Sequence, residues 1–172
     1  MKQILTLLVL TTFLLSCSEK NSNPELKPLL IEQLKNTHLE QNWFVPTKIA
    51  IDELSAEQSN WKDSTENHSI AELVSHLIFW SGMNLRAFKG EDMTGVEVEN
   101  EITFKKYTNK EWKGLTIKLD SIQTEWEKLT EKATDKQLIE WSTEILNMTA
   151  HNAYHTGQII YIRKRNGWWN KK

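Results

Sequence analysis

Residues 151–169 read "HNAYHTGQIIYIRKRNGWW", a stretch without proline whose only glycines stand at 157 and 167. Met148, His151, His155, Ile159 and Ile162 follow steps of three, four, four and three. That is the spacing of a single helix stripe turned toward a core. Gly167, preceded by Arg163, Lys164 and Arg165, suits a helix C-terminus, where glycine accepts the left-handed turn and cations meet the helix dipole. Two histidines four apart on that stripe share one face and can close together on a metal ion. What they do depends on the elements that pack against them.

Working outward from this helix, the spacing predicts that it starts near Ser142 or Thr143, after a short link "TDKQLIEW" at 134–141. A third helix runs from a capping box, Thr108 with Glu111, to about Ala133, in the register Trp112, Leu115, Ile117, Leu119, Ile122, Trp126, Leu129. Another box, Ser69 with Glu72, opens a second helix over 69–88, "SIAELVSHLIFWSGMNLRAF". Between these two helices lies "KGEDMTGVEVENEITFKKY", with two glycines and no sustained helical period. Its "VEVENEITF" part is compatible with a brief extended piece. A long first helix starts at Glu25, sketched by Leu26, Leu29, Leu30, Gln33 and Leu34 and then Ile49, Ile51 and Leu54, and is disturbed at "WFVPTK", where Pro46 disfavours helix in Val45. Four helices of about twenty residues predict an all-α four-helix bundle. The connection between the second and third can reach roughly 60 Å, about twice the length of such a helix. Those two helices can therefore run parallel through a crossover, and up-down-up-down with an ornate loop is the alternative.

The whole chain of 172 residues fits one domain. With 39% apolar and 26% charged residues it is neither disordered nor multi-spanning, and a net charge of -2 leaves no electrostatic footprint for nucleic acid. Residues 1–17, "MKQILTLLVLTTFLLSC", have the form of a secretory signal: Lys2, an apolar run over 4–15, then Ser16. The run is shorter than the roughly 20 residues that span a bilayer. "LLSC" resembles a bacterial lipobox, with Cys17 as the lipidated residue. Residues 18–24 are expected to be a flexible tether and 25–172 the folded domain, an extracytoplasmic, membrane-anchored lipoprotein. Cys17 is the only cysteine, so no intramolecular disulfide forms.

In the second helix Leu73, His76, Trp80 and Met83 follow steps of three, four and three, so His76 also lies on an inward stripe. The remaining two do not: His38 sits in polar "KNTHLEQN" and His68 precedes a cap. A single inward histidine is most often a core residue with both ring nitrogens satisfied. Three together are harder to satisfy, because helices use up their backbone partners internally, and a shared cation resolves the cost. Three imidazoles leave a coordination position open. The H-x-x-x-H pair lacks the Glu of a zinc protease, since Asn152 and Ala153 fill that place, and no paired E-x-x-H motifs suggest a di-iron site.

The pairing of "SIAELVSHLIFW" with "HNAYHTGQIIYIRKRNGWW" resembles the DinB-like superfamily, which includes the YfiT-type metal-dependent hydrolases. The likeness covers 26–169, and its specific part is the H-x-x-Y-H-x-G-Q-I block with one upstream histidine. It implies an up-down-down-up bundle and a divalent metal, zinc or nickel, on His76, His151 and His155. It also implies either hydrolysis or transfer dependent on a low-molecular-weight thiol. The export signal weighs against the thiol, which is mainly cytosolic. A non-catalytic metal- or ligand-binding lipoprotein is the alternative. Expected partners are a small-molecule substrate, the membrane through the anchor and a second copy in a homodimer. Glu72 is a weak catalytic candidate, already explained by its cap. Trp80, Tyr154 and Gln158 are pocket candidates, Asn147 can orient a ligand, Gly157 allows close helix approach, and Trp168 and Trp169 pack the end of the bundle.

Overall fold

The computed structural model describes residues 25–170, and all regular structure among them is helical. The helices are α1 (Leu26–His38), α2 (Thr47–Ile51), α3 (Ala56–Asn60), α4 (Ile70–Phe88), α5 (Trp112–Lys132) and α6 (Asp135–Arg165), with one 3-10 turn, Asn100–Thr103. The leader at 1–17, Cys17 and the tether at 18–24 lie outside the described residues. No described helix is long and apolar enough to cross a membrane.

Local chemistry accounts for the boundaries. At the start of α4 the Ser69 hydroxyl accepts the Glu72 N–H at 3.2 Å while the Glu72 carboxylate accepts the Ser69 N–H at 2.8 Å, so two otherwise orphaned donors are satisfied. The end of α6 is closed by Gly167, whose φ of 71° suits glycine. Its N–H reaches the Lys164 carbonyl at 3.2 Å and the Trp168 N–H reaches that of Arg163 at 2.8 Å, which together make a Schellman motif.

Four expectations are corrected. The link at 134–141 is the first part of α6: the Thr134 hydroxyl accepts the Gln137 N–H at 3.2 Å, and Leu138 and Ile145, seven residues apart, are both in the core. The polar stretch after Leu54 holds α3, opened by a capping box of Ser55 and Gln58. "VEVENEITF" forms the 3-10 turn and no strand. Thr108 and Glu111 do not make a capping box, because the Glu111 N–H goes to the Thr108 backbone carbonyl at 3.0 Å and not to its hydroxyl, which donates to the Glu111 carboxylate; α5 starts at Trp112. The break near Pro46 is present, with Pro46 as the N-cap of α2.

Helix α1 packs on α5 and α6, and α4 packs on the same two helices. The interior has two apolar clusters. One joins the first turns of α4 and α5 to α2 and the later part of α6, through Leu73, Leu77, Trp112, Leu119 and Ile159. The other joins α1, the last turns of α4, the later part of α5 and the earlier part of α6, through Leu30, Leu34, Phe88, Trp126 and Ile145. The Trp126 indole N–H donates to the Ser81 carbonyl at 3.1 Å, so the largest fully buried side chain has its one donor satisfied. At the far end of α6, buried Arg163 donates to the carbonyls of Ala50 (2.6 Å) and Asp52 (3.0 Å), and Trp168 packs edge-on against Trp61.

His38 departs from its polar sequence context. It is 1% exposed, with Nδ1 2.5 Å from a Glu127 oxygen and Nε2 2.9 Å from an Asp120 oxygen. Lys48 meets the same Asp120 oxygen at 2.7 Å. The ring thus bridges the two carboxylates and clamps α1 to α5.

Candidate metal centre

Helix α4 contributes His76, while His151 and His155 come from successive turns of α6. The periodicity argument places all three on inward lines, and the fold brings those lines together: the Nε2 atom of His151 lies 3.0 Å from Nε2 of His76 and 3.0 Å from Nε2 of His155. His76 and His155 are buried and His151 is half-buried. Among the described residues these three form the one group of histidine, cysteine or carboxylate side chains close enough to hold an ion together.

Hydrogen bonds behind the rings determine what the converging nitrogens present. The Thr103 hydroxyl donates to the Asn100 carbonyl at 2.6 Å, so the oxygen it offers His76 Nδ1, also at 2.6 Å, must accept. Nδ1 of His76 therefore carries its proton and Nε2 is a bare lone pair. On His155, Nδ1 donates to the Gln158 amide oxygen at 2.7 Å, and the amide nitrogen of Gln158 faces the Tyr154 hydroxyl at 3.3 Å. Its Nε2 is likewise a lone pair. His151 has at most one proton on Nε2 and cannot serve both neighbours, so at least one 3.0 Å contact sets lone pair against lone pair. A cation at the shared point removes that conflict. Three nitrogens on a tetrahedral ion at about 2.05 Å stand about 3.3 Å apart, close to the spacing present, so the residues fit a divalent metal. Threonine and glutamine behind the ligands are the outer groups that orient such rings and fix their tautomers.

Electrostatics agree with this. Burial, followed by the neighbouring rings of His155 and His151, lowers the pKa of His76 to about 3. Burial and His155 lower that of His151 to about 4, and burial also lowers His155, against the pull of Gln158. All three are neutral near pH 7, the state in which imidazole binds metal.

Around the ligands, Phe104 is stacked between His76 (centroids 4.1 Å apart, planes 6° apart) and His68 (3.6 Å, 2°). Phe104, backed by His68, covers one side of His76. Beside His151 opens a cleft of about 360 Å³ whose lining includes Trp80, Asn84, Asn100, Glu144 and Asn147. Tyr154 and Gln158 line a different cleft of about 550 Å³ that also reaches His68 and Trp61. The pocket candidates are thus divided between two openings. Glu72 faces neither: its carboxylate takes the Ser69 N–H and Lys62 Nζ, the latter at 3.0 Å. Burial alone raises its pKa, but the Ser69 bond and Lys62 outweigh this and hold it below the usual carboxylate range. Gly157 faces open space, and close helix approach is not what it serves.

Thr103, Phe104 and Asn100 escaped the sequence reading because they belong to the aperiodic connection between α4 and α5, whose place beside α4 is set by tertiary packing. Glu144 left a signal, lying seven residues before His151 on the same helix.

A family model described as the DinB superfamily matches residues 38–159, a span containing all three histidines. No curated protein and no solved structure matches the chain.

Proposed function

Because the chain belongs to the DinB superfamily, we propose that it is an up-down-down-up four-helix bundle carrying a divalent metal, zinc or nickel, on His76, His151 and His155. In this reading it catalyses metal-dependent hydrolysis. The observation that carries the proposal is the convergence of three Nε2 atoms at 3.0 Å contacts, two of them left as lone pairs by Thr103 and Gln158. The topology is supported by α4 and α5 sharing one apolar cluster through their first turns and the other toward their ends, which parallel helices do.

A divalent ion held by three imidazoles supplies Lewis acidity and lowers the pKa of a water toward neutrality. The chain's own residues do the rest. Thr103 and Gln158 hold the Nδ1 protons and keep the ligand lone pairs aimed at one point. Phe104 and His68 exclude water from one side of His76. The approach left to a substrate is the cleft beside His151, where Trp80 and Asn147 flank its reacting group. In the net reaction the oxygen of water bonds to the acyl carbon, the bond to the leaving group breaks, and the leaving group takes a proton. A closed structural site would require a fourth protein ligand, and the group of potential ligands among the described residues has three members.

Metal-loaded protein should hydrolyse members of an ester and amide panel, and the triple variant H76A/H151A/H155A should not. Equal rates in the two proteins would end the enzymatic reading. We extend the proposal to an extracytoplasmic lipoprotein on the strength of the leader-like 1–17 and Cys17. A C17A chain that still partitions fully with membranes would contradict it.

A further inference from the structure

We propose that the cleft beside His151 selects substrates bearing a cationic group about 10 Å from the reacting carbonyl, with Glu144 as the group that recognises it. This inference rests on the metal-centre reading and names a substrate class for that site.

Glu144, Asn147 and His151 follow steps of three and four on α6, so they share one face, and all three line the cleft. At 1.5 Å rise per residue, Asn147 stands about 6 Å and Glu144 about 10 Å along the helix from the ligand. The second distance is too long for Glu144 to exchange a proton at the reacting atoms, so its role is recognition.

The other polar groups of the cleft are already engaged. The Asn84 amide donates to the Trp80 carbonyl at 2.9 Å, and the Asn100 oxygen accepts the Trp80 indole N–H at 3.3 Å. The side chains of Glu144 and Asn147 have no hydrogen bond or ion pair with any described residue. A glutamate on an exposed helix face usually belongs to an i,i+4 ion pair or is simply solvated. Here the helical neighbours at three and four residues are Glu140, Trp141, Asn147 and Met148, none basic. Glu144 is also the only charged residue lining the cleft, which has no lysine or arginine. An anionic substrate would meet a lone carboxylate with no compensating cation, whereas an ammonium or guanidinium group would complete the pair. The same bias disfavours carboxylate-rich thiols such as glutathione as partners of this site.

Hydroxamates bind a metal directly and can carry a distal charge of either sign. With the full chain loaded with Co²⁺, the cobalt absorption band is titrated with 8-aminooctanohydroxamate (cationic), octanohydroxamate (neutral) and suberic monohydroxamate (anionic). The cationic probe should bind about fivefold tighter than the neutral one, and the anionic probe weaker by a similar factor. In E144Q the three should bind alike. A cobalt band that responds equally to all three probes in the wild-type chain, or a cation preference that survives in E144Q, overturns the inference alone. No cobalt band overturns the metal centre and the inference with it.

Discussion

His38 and His76 are buried almost equally, at 1% and 3% exposed, yet their rings meet opposite surroundings. His38 lies between the carboxylates of Glu127 and Asp120, and its two ring nitrogens join helices far apart in sequence. His76 meets only neutral groups: a hydroxyl oxygen behind the ring and two further imidazoles in front of it. The first site is complete as it stands, each ring nitrogen having a carboxylate partner. The second concentrates lone pairs and lacks positive charge. Burial therefore does not by itself identify a functional histidine, whereas the sign of what surrounds it does.

The largest expected effect belongs to the completed site. Replacing His38 by alanine leaves Glu127 and Asp120 without their buried partner, which costs about 2–4 kcal/mol, reduced from the fully buried case because the Asp120 side chain is 41% exposed. Urea unfolding should show this loss while metal content stays at the wild-type level. Unchanged stability, or loss of metal, would break the contrast between the two sites.

The next effect is on pH dependence. In the folded chain the pKa values of His76 and His151 are lowered to about 3 and about 4, against about 6.5 in the unfolded chain. The unfolded state then binds more protons over this interval, so the neutral cluster's contribution is present above about pH 6.5 and is lost as pH falls toward 4. Urea midpoints of the metal-stripped protein should fall over that window, and H76Q/H151Q should flatten the slope. A wild-type slope no steeper than that of the double variant would contradict the assigned surroundings.

The smallest effect sharpens the role of the outer groups. Thr103→Val removes the acceptor behind His76 and should weaken metal binding about tenfold, with Gln158→Leu acting similarly through His155. Competition with a chelator of known affinity reads both, and undiminished affinity in both variants would mean that the ligands need no such support.

How much of this was legible follows from the range of each signal. The histidine cluster could be read because helical spacing puts His151 and His155 on one face and His76 on another inward line, each a property of one helix's own residues. The start of α4 was likewise local, being fixed by Ser69 and Glu72. The start of α6 was missed because "TDKQLIEW" is polar except at Leu138, Ile139 and Trp141, and its burial depends on packing against α1. His38 was misread for the same reason: its carboxylates come from positions 82 and 89 residues away. Thr103 and Phe104 sit in the connection between α4 and α5, whose course no short-range pattern specifies.

The central claim is that the three histidines hold one divalent ion between them. Elemental analysis of the purified chain, compared with H151A and H38A, tests it most directly. The account predicts about one zinc or nickel per chain in the wild type and in H38A, and almost none in H151A. Equal metal content in the wild type and H151A, or a wild-type chain that takes up no ion when zinc and nickel are supplied, would contradict it.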